Sequence, residues 1–594
     1  MLITVRLLSR RDLDFLLFEW LDVALLCDRP RFADHSRDTF AAVLELSEQI
    51  AAEQFAPHYR RSDAEEPVVR DGRVRIIPDV KAAVDAFGKA GLVGAAMDHE
   101  VGGFQLPMVV TSACFAWFQA ANISTAAYPF LTVANANLLR TYGTSEQIAT
   151  FVLPQVEGRW FGTMCLSEPQ AGSSLADVTT RAEPQSDGTY RLTGTKMWIS
   201  GGDHDLVENI VHLVLARIAG ASLGVRGISL FVVPKLLPTT GERNDVVLAG
   251  LNHKMGYRGT VNAVLNFGEG AYRPGGRGGA IGELVGEPHR GLEYMFHMMN
   301  EARIGVGAGA AALGYRAYLT ALDYARSRPQ GRPRATRDPS EPQVPIIGHA
   351  DVRRMLLAQK SYVEGALALV LYCARLVDEV HTGPEESRAD AQLLLDVLTP
   401  IAKSWPSQWC LTACDLAIQV HGGYGYTRDY DVEQLYRDNR LNPIHEGTQG
   451  IQGLDLLGRK VVMADGRALR LLLEAVGNTA TTARSAPEEL AGYGNRLAAA
   501  AELLAGTVAD LYAVGDIDVT LANSSLFLDA AGHVVIAWMW LEQALAAPGQ
   551  DPFHTGKRAA ARYFFRYELP RAEQQLQFLR TCDTTTLDMQ PEWF

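Results

Sequence analysis

Cysteine is scarce in this chain, with seven residues at 27, 114, 165, 373, 410, 414 and 582 among 594. An odd, scattered set excludes a disulfide framework and is the usage of a reducing compartment, so the expected location is the cytoplasm. Cys410 and Cys414 would share a helix face, but no second pair supplies the remaining ligands of a zinc site, and no metal is expected. Positive charge is also short, with 55 Lys and Arg against 68 Asp and Glu and a formal net charge of -13. Both signs are spread over short clusters, so the basic face that a phosphate backbone requires is missing and nucleic acid is not an expected partner. No run of 18 or more uncharged apolar residues occurs, so no membrane span is expected. The apolar stretch 5–26 carries Arg6, Arg10 and Arg11, but Asp12, Asp14, Glu19 and Asp22 make it too acidic for a signal or transit peptide. An amphipathic helix packed on the body of the protein is expected there. Repeats, low-complexity segments and disordered charge blocks are lacking too.

What the sequence does have is a globular composition, 47% hydrophobic and 21% charged, at a length that suits about four domains. Residues 36–158 read as helices: apolar residues recur at helical spacing over 39–55, and Ser145 opens a helix that Pro154 interrupts. No strand is expected there. Between 161 and 285 the period changes to two, most clearly over 261–267, with further strand-like runs at 191–200, 209–217 and 228–233. Helical patterning then resumes at 293–326, 350–381, 389–419 and 447–463, four helices that make a bundle. The first carries Gly305, Gly307, Ala308, Gly309, Ala310, Ala311 and Ala312. Such a stripe marks close approach either of another backbone or of a flat ligand. Beyond 468 come helices at 468–476, 487–512, 523–546 and 554–580, the last broken at Pro570.

Four motifs follow one another along this frame. The loop Met164-Cys-Leu-Ser-Glu-Pro-Gln-Ala-Gly-Ser-Ser174 crowds hydroxyls and small residues that offer N–H groups to a closely approaching ligand. Lys196-Met-Trp-Ile-Ser-Gly-Gly202 places an aromatic and a hydroxyl at the end of a strand. Ala325-Arg-Ser-Arg-Pro-Gln-Gly331 holds an arginine fork suited to a diphosphate. Gln419-Val-His-Gly-Gly-Tyr-Gly-Tyr-Thr-Arg-Asp-Tyr430 ends a helix on glycines, and Asn442-Pro-Ile-His-Glu-Gly-Thr448 follows it. In order and wording these motifs resemble the acyl-CoA dehydrogenase family over about residues 40–465. The closest resemblance is to the large bacterial branch with an added C-terminal helical domain, whose members handle fatty acyl-CoAs or 3-methylmercaptopropionyl-CoA. Two departures stand out: Ser167 replaces a Thr and keeps the hydroxyl, whereas Ser174 replaces an Asp and loses the charge. The Phe that often follows Gln330 is absent.

The resemblance implies an α+β multidomain fold. Its parts are an N-terminal helical domain at 1–160, a β-barrel-like middle domain at 161–286, a four-helix bundle at 287–467 and an additional helical domain at 468–594. It implies FAD as cofactor and Glu446 as the catalytic base. Met164, Leu166, Ser167, Gly172 and Ser173 would line the flavin, with Trp198 and Ile199 beside the isoalloxazine and Ser200 near its N5. Arg328 and Gln330 would meet the flavin pyrophosphate of a neighbouring subunit, Gln419, Gly422 and Gly423 would also bind the flavin, and Thr448 would lie near substrate and the adenylate half. Ser173, Asn300, Arg303 and Gly447 would contact the acyl-CoA substrate, Arg303 alternatively fixing the active-site loop or making an ion pair. Some branches place their base just before that arginine; here Ala302 stands there, and Glu301 is a further 100° around the helix.

The implied chemistry follows from the substrate. The α-C–H of a thioester is a very weak acid, so it needs a positioned base and donors for the growing enolate charge, and an apolar slot would raise the base's pKa toward neutrality. Electron-transferring flavoprotein is the implied acceptor, and a homodimer or dimer of dimers the implied assembly. Two rival readings stay open at this point. One is an oxidase that returns electrons to dioxygen. The other is a DNA-binding alkylation-response flavoprotein, for which only Lys557, Arg558, Arg562, Arg566 and Arg571 offer local basic charge.

Overall fold

A computed structural model of the chain describes residues 6–332 and 338–594; Val5, where the apolar N-terminal stretch begins, lies outside them. The chain divides into two compact units. One comprises Ala41–Leu106 and Ala121–Ala302; the other comprises the described residues of Met1–Phe40, Pro107–Ala120 and Arg303–Phe594.

The first unit holds the strands. β1 (Val68–Arg70) and β2 (Arg73–Arg75) form a small antiparallel hairpin where the helical reading expected none. Its turn residues Asp71 and Gly72 both have positive φ (52° and 71°), the conformation Asp-Gly favours between two strands. That dipeptide was the available signal, masked by short arginine-rich strands with almost no buried residue. The main sheet contains β3 (Trp160–Cys165), β4 (Arg181–Pro184), β5 (Tyr190–Ser200), β6 (Asn209–Ile218), β7 (Ile228–Pro234), β8 (Val246–Leu251), β9 (Asn262–Phe267) and β10 (Ala280–Leu284). Spatial order is β10-β7-β6-β4-β5-β9-β8. β10 pairs with both β7 and β5, which closes a ring of five strands, and β3 adds on to β6 in parallel.

β6 and β7 read as mostly apolar runs, interrupted by His212 and Ser229, because both their faces are buried. Val214, Ala216, Phe231 and Val233 point into one cluster with Leu192, Leu265, Phe267 and Ala280. The alternate residues Leu213, Leu215, Leu230 and Val232 pack on Leu138, Leu139, Phe151, Met295 and Met298 of the surrounding helices. A buried amide fixes the register of this contact: Asn135 Nδ2 donates to the Thr163 and Val211 carbonyls, both at 3.0 Å. A Cβ at Gly162 would lie 2.4 Å from the Asn135 side chain, so glycine is required beneath it.

The second unit is helical. Instead of one helix across 5–26, a short helix at Arg10–Asp14 widens into a turn at Phe15–Trp20 and breaks at Asp22, whose φ is 41°. Three helices are as long as expected: Gly291–Ser327, Ala350–Thr382 and Glu385–His421. The fourth, expected over 447–463, is only Gln449–Gly458 followed by a tight turn at Lys460–Val462. Within the small-residue stripe Gly307 makes a close helix contact, and Gly314, just beyond the stripe, makes another. A Cβ at Gly307 would sit 1.9 Å from the Ala402 carbonyl oxygen, and one at Gly314 would sit 2.7 Å from Cys410 Cβ. Pro406, four residues after Ala402, has no N–H to claim that carbonyl, which leaves it facing the Gly307 backbone.

The C-terminal helices are Met463–Ala483, Glu488–Ala513, Ser524–Leu545, Pro552–Tyr563 and Leu569–Leu579. The expected break falls at a widened turn, Phe564–Glu568, with Pro570 in the first turn of the helix that follows. Ser524–Leu545 is long and apolar enough on average to cross a membrane, but it carries Asp529, His533 and Glu542, and 83% of its most apolar window is buried. It is a core helix of this unit. Trp540 Nε1 donates to the Ser361 carbonyl at 2.9 Å, and His533 packs edge-on against Trp405 and Trp409.

Candidate active site

Glu446 stands on the loop between the helices Val432–Asn439 and Gln449–Gly458. Its backbone is left-handed, φ 53°, in a region that a non-glycine residue occupies only when its surroundings hold it there. The following Gly447 has φ 90°, and a Cβ there would meet Gln452 Nε2 at 2.3 Å. Two side chains grip the turn through successive carbonyls: Gln452 Nε2 donates to the Glu446 carbonyl at 3.0 Å, and Lys403 Nζ donates to the Gly447 carbonyl at 2.7 Å. Thr448 caps the next helix, its hydroxyl accepting from the Ile451 N–H. On the other side the loop is tied back by amides. His445 Nε2 meets Asn442 Oδ1 at 3.1 Å, Asn442 donates to Asn439 Oδ1 at 2.9 Å, and Asn439 donates to the Ala310 carbonyl at 3.2 Å.

The Glu446 side chain keeps some solvent access while protein atoms crowd it. Burial pushes its carboxyl above the ordinary range, and the charges of Arg303 and Lys403 pull it part of the way back. Arg303 is 3% exposed and donates to Asp455 Oδ2 at 3.1 Å, so of its possible roles the structure displays an ion pair, buried, with the helix that the Glu446 loop enters. Lys403 is fully buried, and burial lowers its ammonium to about 7 against the opposing pull of Glu446. His445 is held neutral, its pKa lowered to about 3 by burial and by Lys403, which makes it a poor base beside a carboxylate.

A second group in the helical unit joins the third and fourth motifs. The Arg328 guanidinium lies over the Tyr424 ring at 5.5 Å, and Tyr324 stacks on His421 at 4.2 Å. Gln419, Gly422 and Gly423 are exposed at this helix end. Of the glycines, Gly422 needs its freedom because φ is 62°, and Gly425 because a Cβ would meet the Ile418 carbonyl at 2.4 Å; Gly423 faces open space. The Gln330 backbone is fixed between the Val344 carbonyl and the His349 ring, and the residue itself is exposed.

In the strand unit the pairing of β5 with β9 slips between Lys196 and Ile199. This bulge turns Trp198 outward, with φ 65° and 57% of the residue exposed, while Ile199 stays buried. Ser200, next along, is half-buried and accepts from Asn262 Nδ2 at 3.4 Å. Ser167 lies alongside, since the Met197 N–H donates to its carbonyl at 2.9 Å. Met164 and Leu166 are buried and half-buried on the way into that loop, whereas Gly172, Ser173 and Ser174 are exposed at its tip. The Ser174 hydroxyl bonds Asp177, so an acidic side chain does occupy this loop, three positions later than in the family pattern. Asn300 and Glu301 are half-buried, and Glu301 accepts from Asn137 Nδ2 at 3.2 Å.

The motifs gave no sign of the part that four residues play in organising these loops. Lys403 and Gln452 grip the Glu446 turn. Lys196 and Glu168 form an ion pair inside the strand unit, Nζ to Oε1 at 3.0 Å, with 0% and 1% of their side chains exposed. Lys196 also donates to the Leu166 carbonyl, and Glu168 accepts from the N–H and hydroxyl groups of Thr179 and Thr180. Burial pushes Glu168 up, but Lys196 and these donors outweigh it and hold its pKa at about 2. For Lys196, burial outweighs the pairing; the short, multiply bonded contact nonetheless fixes the charged pair. The available signal for both lysines was a lone charge inside an apolar run, since lysine is almost never fully buried unless paired. Glu168→Gln is expected to destabilise the protein at neutral pH. Because the folded pKa is depressed from 4.5 to about 2, the wild-type advantage should hold above pH 4.5 and vanish as pH falls toward 2. Thermal unfolding of both proteins across that range reads the difference directly.

Comparisons with known proteins give a consistent result. Family models described as acyl-CoA dehydrogenase N-terminal, middle and C-terminal domains match residues 38–159, 163–269 and 289–461, and one described as acetyl-CoA dehydrogenase C-terminal like matches 472–590. The chain is similar to a 3-methylmercaptopropionyl-CoA dehydrogenase of Ruegeria pomeroyi, at 39% identity over 96% of both chains. It is also similar to a broad-specificity linear acyl-CoA dehydrogenase of Mycobacterium tuberculosis, at 34% identity over 98% of both. Among solved structures, an acyl-CoA dehydrogenase complexed with FAD from Bacillus anthracis shares the fold. Its TM-score is 0.74 at 20% identity, covering 95% of this chain and 91% of that one.

Proposed function

Since the chain belongs to the acyl-CoA dehydrogenase family, we propose that it oxidises acyl-CoA thioesters to trans-2-enoyl-CoAs with the Glu446 carboxylate as the base that takes the α-proton. The observation that carries this reading is the Glu446 turn. A carboxyl raised by burial sits on a left-handed loop held through both neighbouring carbonyls, so its position is set before substrate arrives. No acceptor among the described residues stands against the Glu446 N–H, which leaves it available to the thioester oxygen as enolate charge develops. Arg303, anchored on Asp455, keeps positive charge beside the same carboxyl.

FAD, when bound, supplies the acceptor for the β-hydride. The residues present fit it: the bulge at Trp198 offers an exposed aromatic face, Ser200 a hydroxyl on the same strand, and Met164, Leu166, Ser167, Gly172 and Ser173 a loop of small and polar groups beside it. Arg328 and Gln330, with Gln419, Gly422 and Gly423, present a guanidinium and an open glycine turn suited to the pyrophosphate of a second subunit's FAD, and Thr448 would lie near the adenylate half of a bound FAD. Ser173, Asn300 and Gly447 are read as substrate contacts. A homodimer or dimer of dimers, a cytoplasmic location, electron-transferring flavoprotein as acceptor and a four-part division ending at 160, 286, 467 and 594 complete the reading.

A DNA-binding role finds no support in the C-terminal basic residues. Lys557 is buried between Asp12 and Glu364, Arg562 and Arg566 face Glu489, Arg571 faces Glu568, and Arg558 donates to backbone carbonyls. The test is anaerobic mixing of the FAD-loaded protein with butyryl-, octanoyl-, palmitoyl- and 3-methylmercaptopropionyl-CoA. At least one should bleach the flavin band and yield the enoyl-CoA, and bleaching by none would end the proposal. Reoxidation by electron-transferring flavoprotein is expected to outpace hydrogen peroxide formation in air; the reverse would make the protein an oxidase.

A further inference from the structure

We propose that Lys403 is a positioning residue for the proposed proton abstraction: its buried ammonium holds the Gly447 carbonyl and thereby the left-handed Glu446 turn, and its charge favours the ionised form of the Glu446 carboxyl. The proposal rests on the reading of Glu446 as base.

The geometry carries the argument. Lys403 lies on Glu385–His421 between Pro400 and Pro406, a helix stretch that has lost two N–H donors. Its neighbour Ala402 is where Gly307 brings the helix Gly291–Ser327 closest, and Arg303 enters the site from one turn earlier on that helix. A fully buried lysine is stable only with partners, and the Lys403 ammonium donates to the Gly447 carbonyl at 2.7 Å, on the residue directly after the proposed base. The Gln452 amide holds the preceding carbonyl, so the two side chains fix successive peptide planes of a strained turn. Losing one grip lets the Glu446 side chain swing, and proton transfer is sensitive to displacements of that size.

The charged and titratable groups facing Lys403 are Glu446 and His445 on the loop and Arg303 on the neighbouring helix, with Asp455 holding Arg303. Burial brings Lys403 to about 7, so its charge is a live variable near neutral pH rather than a constant. The sign of its effect is fixed. An ammonium beside a carboxylate lowers the carboxylate's pKa, so removing the ammonium raises it, and the acidic limb of the reaction moves to higher pH.

Three variants separate the two contributions. Lys403→Arg keeps charge and donors, Lys403→Gln keeps a donor without charge, and Lys403→Met keeps neither. Flavin content and the pH dependence of anaerobic flavin reduction are measured for each, with the fastest acyl-CoA of the panel above as the probe and Glu446→Gln in parallel. The acidic limb is expected to rise by about one pH unit in the Gln and Met variants and to stay in place in the Arg variant. The plateau rate should fall by roughly 10- to 100-fold in the Met variant and less in the Gln variant. An unmoved limb in both uncharged variants would overturn the proposal. So would loss of FAD from both, which would make Lys403 a residue of the fold alone. Retained activity in Glu446→Gln would instead overturn the base assignment, so the two failures are distinguishable.

Discussion

Glu446→Gln is expected to bind FAD as the wild type does and to lose flavin reduction by acyl-CoA by about 10³-fold or more, the scale on which a positioned general base contributes. The substitution keeps the size of the side chain and leaves the backbone grips of Gln452 and Lys403 in place, since both act on carbonyls. What disappears is the proposed proton acceptor. The neighbouring His445 cannot stand in, because burial and Lys403 bring its pKa to about 3. The wild-type rate should rise with pH through a single acidic limb, inactive while Glu446 is protonated. Because burial raises that carboxyl, the limb should lie above the ordinary glutamate value of 4.5, and it should be missing from the Gln variant's residual rate. Glu301→Gln, by contrast, removes the charge from a partner of Asn137 and should keep most of the activity. Near-normal reduction by Glu446→Gln together with loss in Glu301→Gln would sink the assignment.

The second large effect concerns stability. Lys557→Met is expected to cost about 3–5 kcal/mol, the penalty for leaving buried charge without its partner. Lys557 is fully buried and meets two carboxylates, Asp12 from the N-terminal segment and Glu364 from the helix Ala350–Thr382, the latter at 2.9 Å. Gln543 accepts its third proton at 2.9 Å, Tyr315 donates to Asp12 at 3.0 Å, and Lys360 pairs with Glu364. Methionine fills much the same volume but leaves Asp12 without a cation in contact, and burial already raises that carboxyl. Adding Glu364→Gln should recover part of the loss by removing one of the two carboxylates. Denaturant unfolding followed by tryptophan fluorescence measures both variants. A Lys557→Met protein within about 0.5 kcal/mol of wild type would show that the buried charges contribute nothing net, as some buried pairs do.

Much of this was legible in the chain itself. The switch from helical to alternating patterning located the strand unit, and β5, β6, β7 and β9 fall on the four expected runs. Besides β8, the strands of the main sheet that went unrecognised had reasons: β4 ends in Pro184, β10 is five residues long and carries Gly282, and β3 runs parallel against β6 and is buried along nearly its whole length. The long helices were equally plain. The fourth bundle helix was overestimated because its apolar spacing continues past Gly458, where a tight turn replaces it.

By itself the sequence determined the order of helical and stranded segments, the four motifs and the candidate base, because each is written in local residue types and short spacings. The partners of those motifs were decided only by the tertiary structure. Lys403 lies 44 positions before Gly447, Arg303 lies 152 before Asp455, and Lys557 and Asp12 come from opposite ends of the chain. A charge inside an apolar run announces that it needs a partner. Only packing, which brings distant elements within hydrogen-bond reach and excludes water from between them, decides which partner it finds.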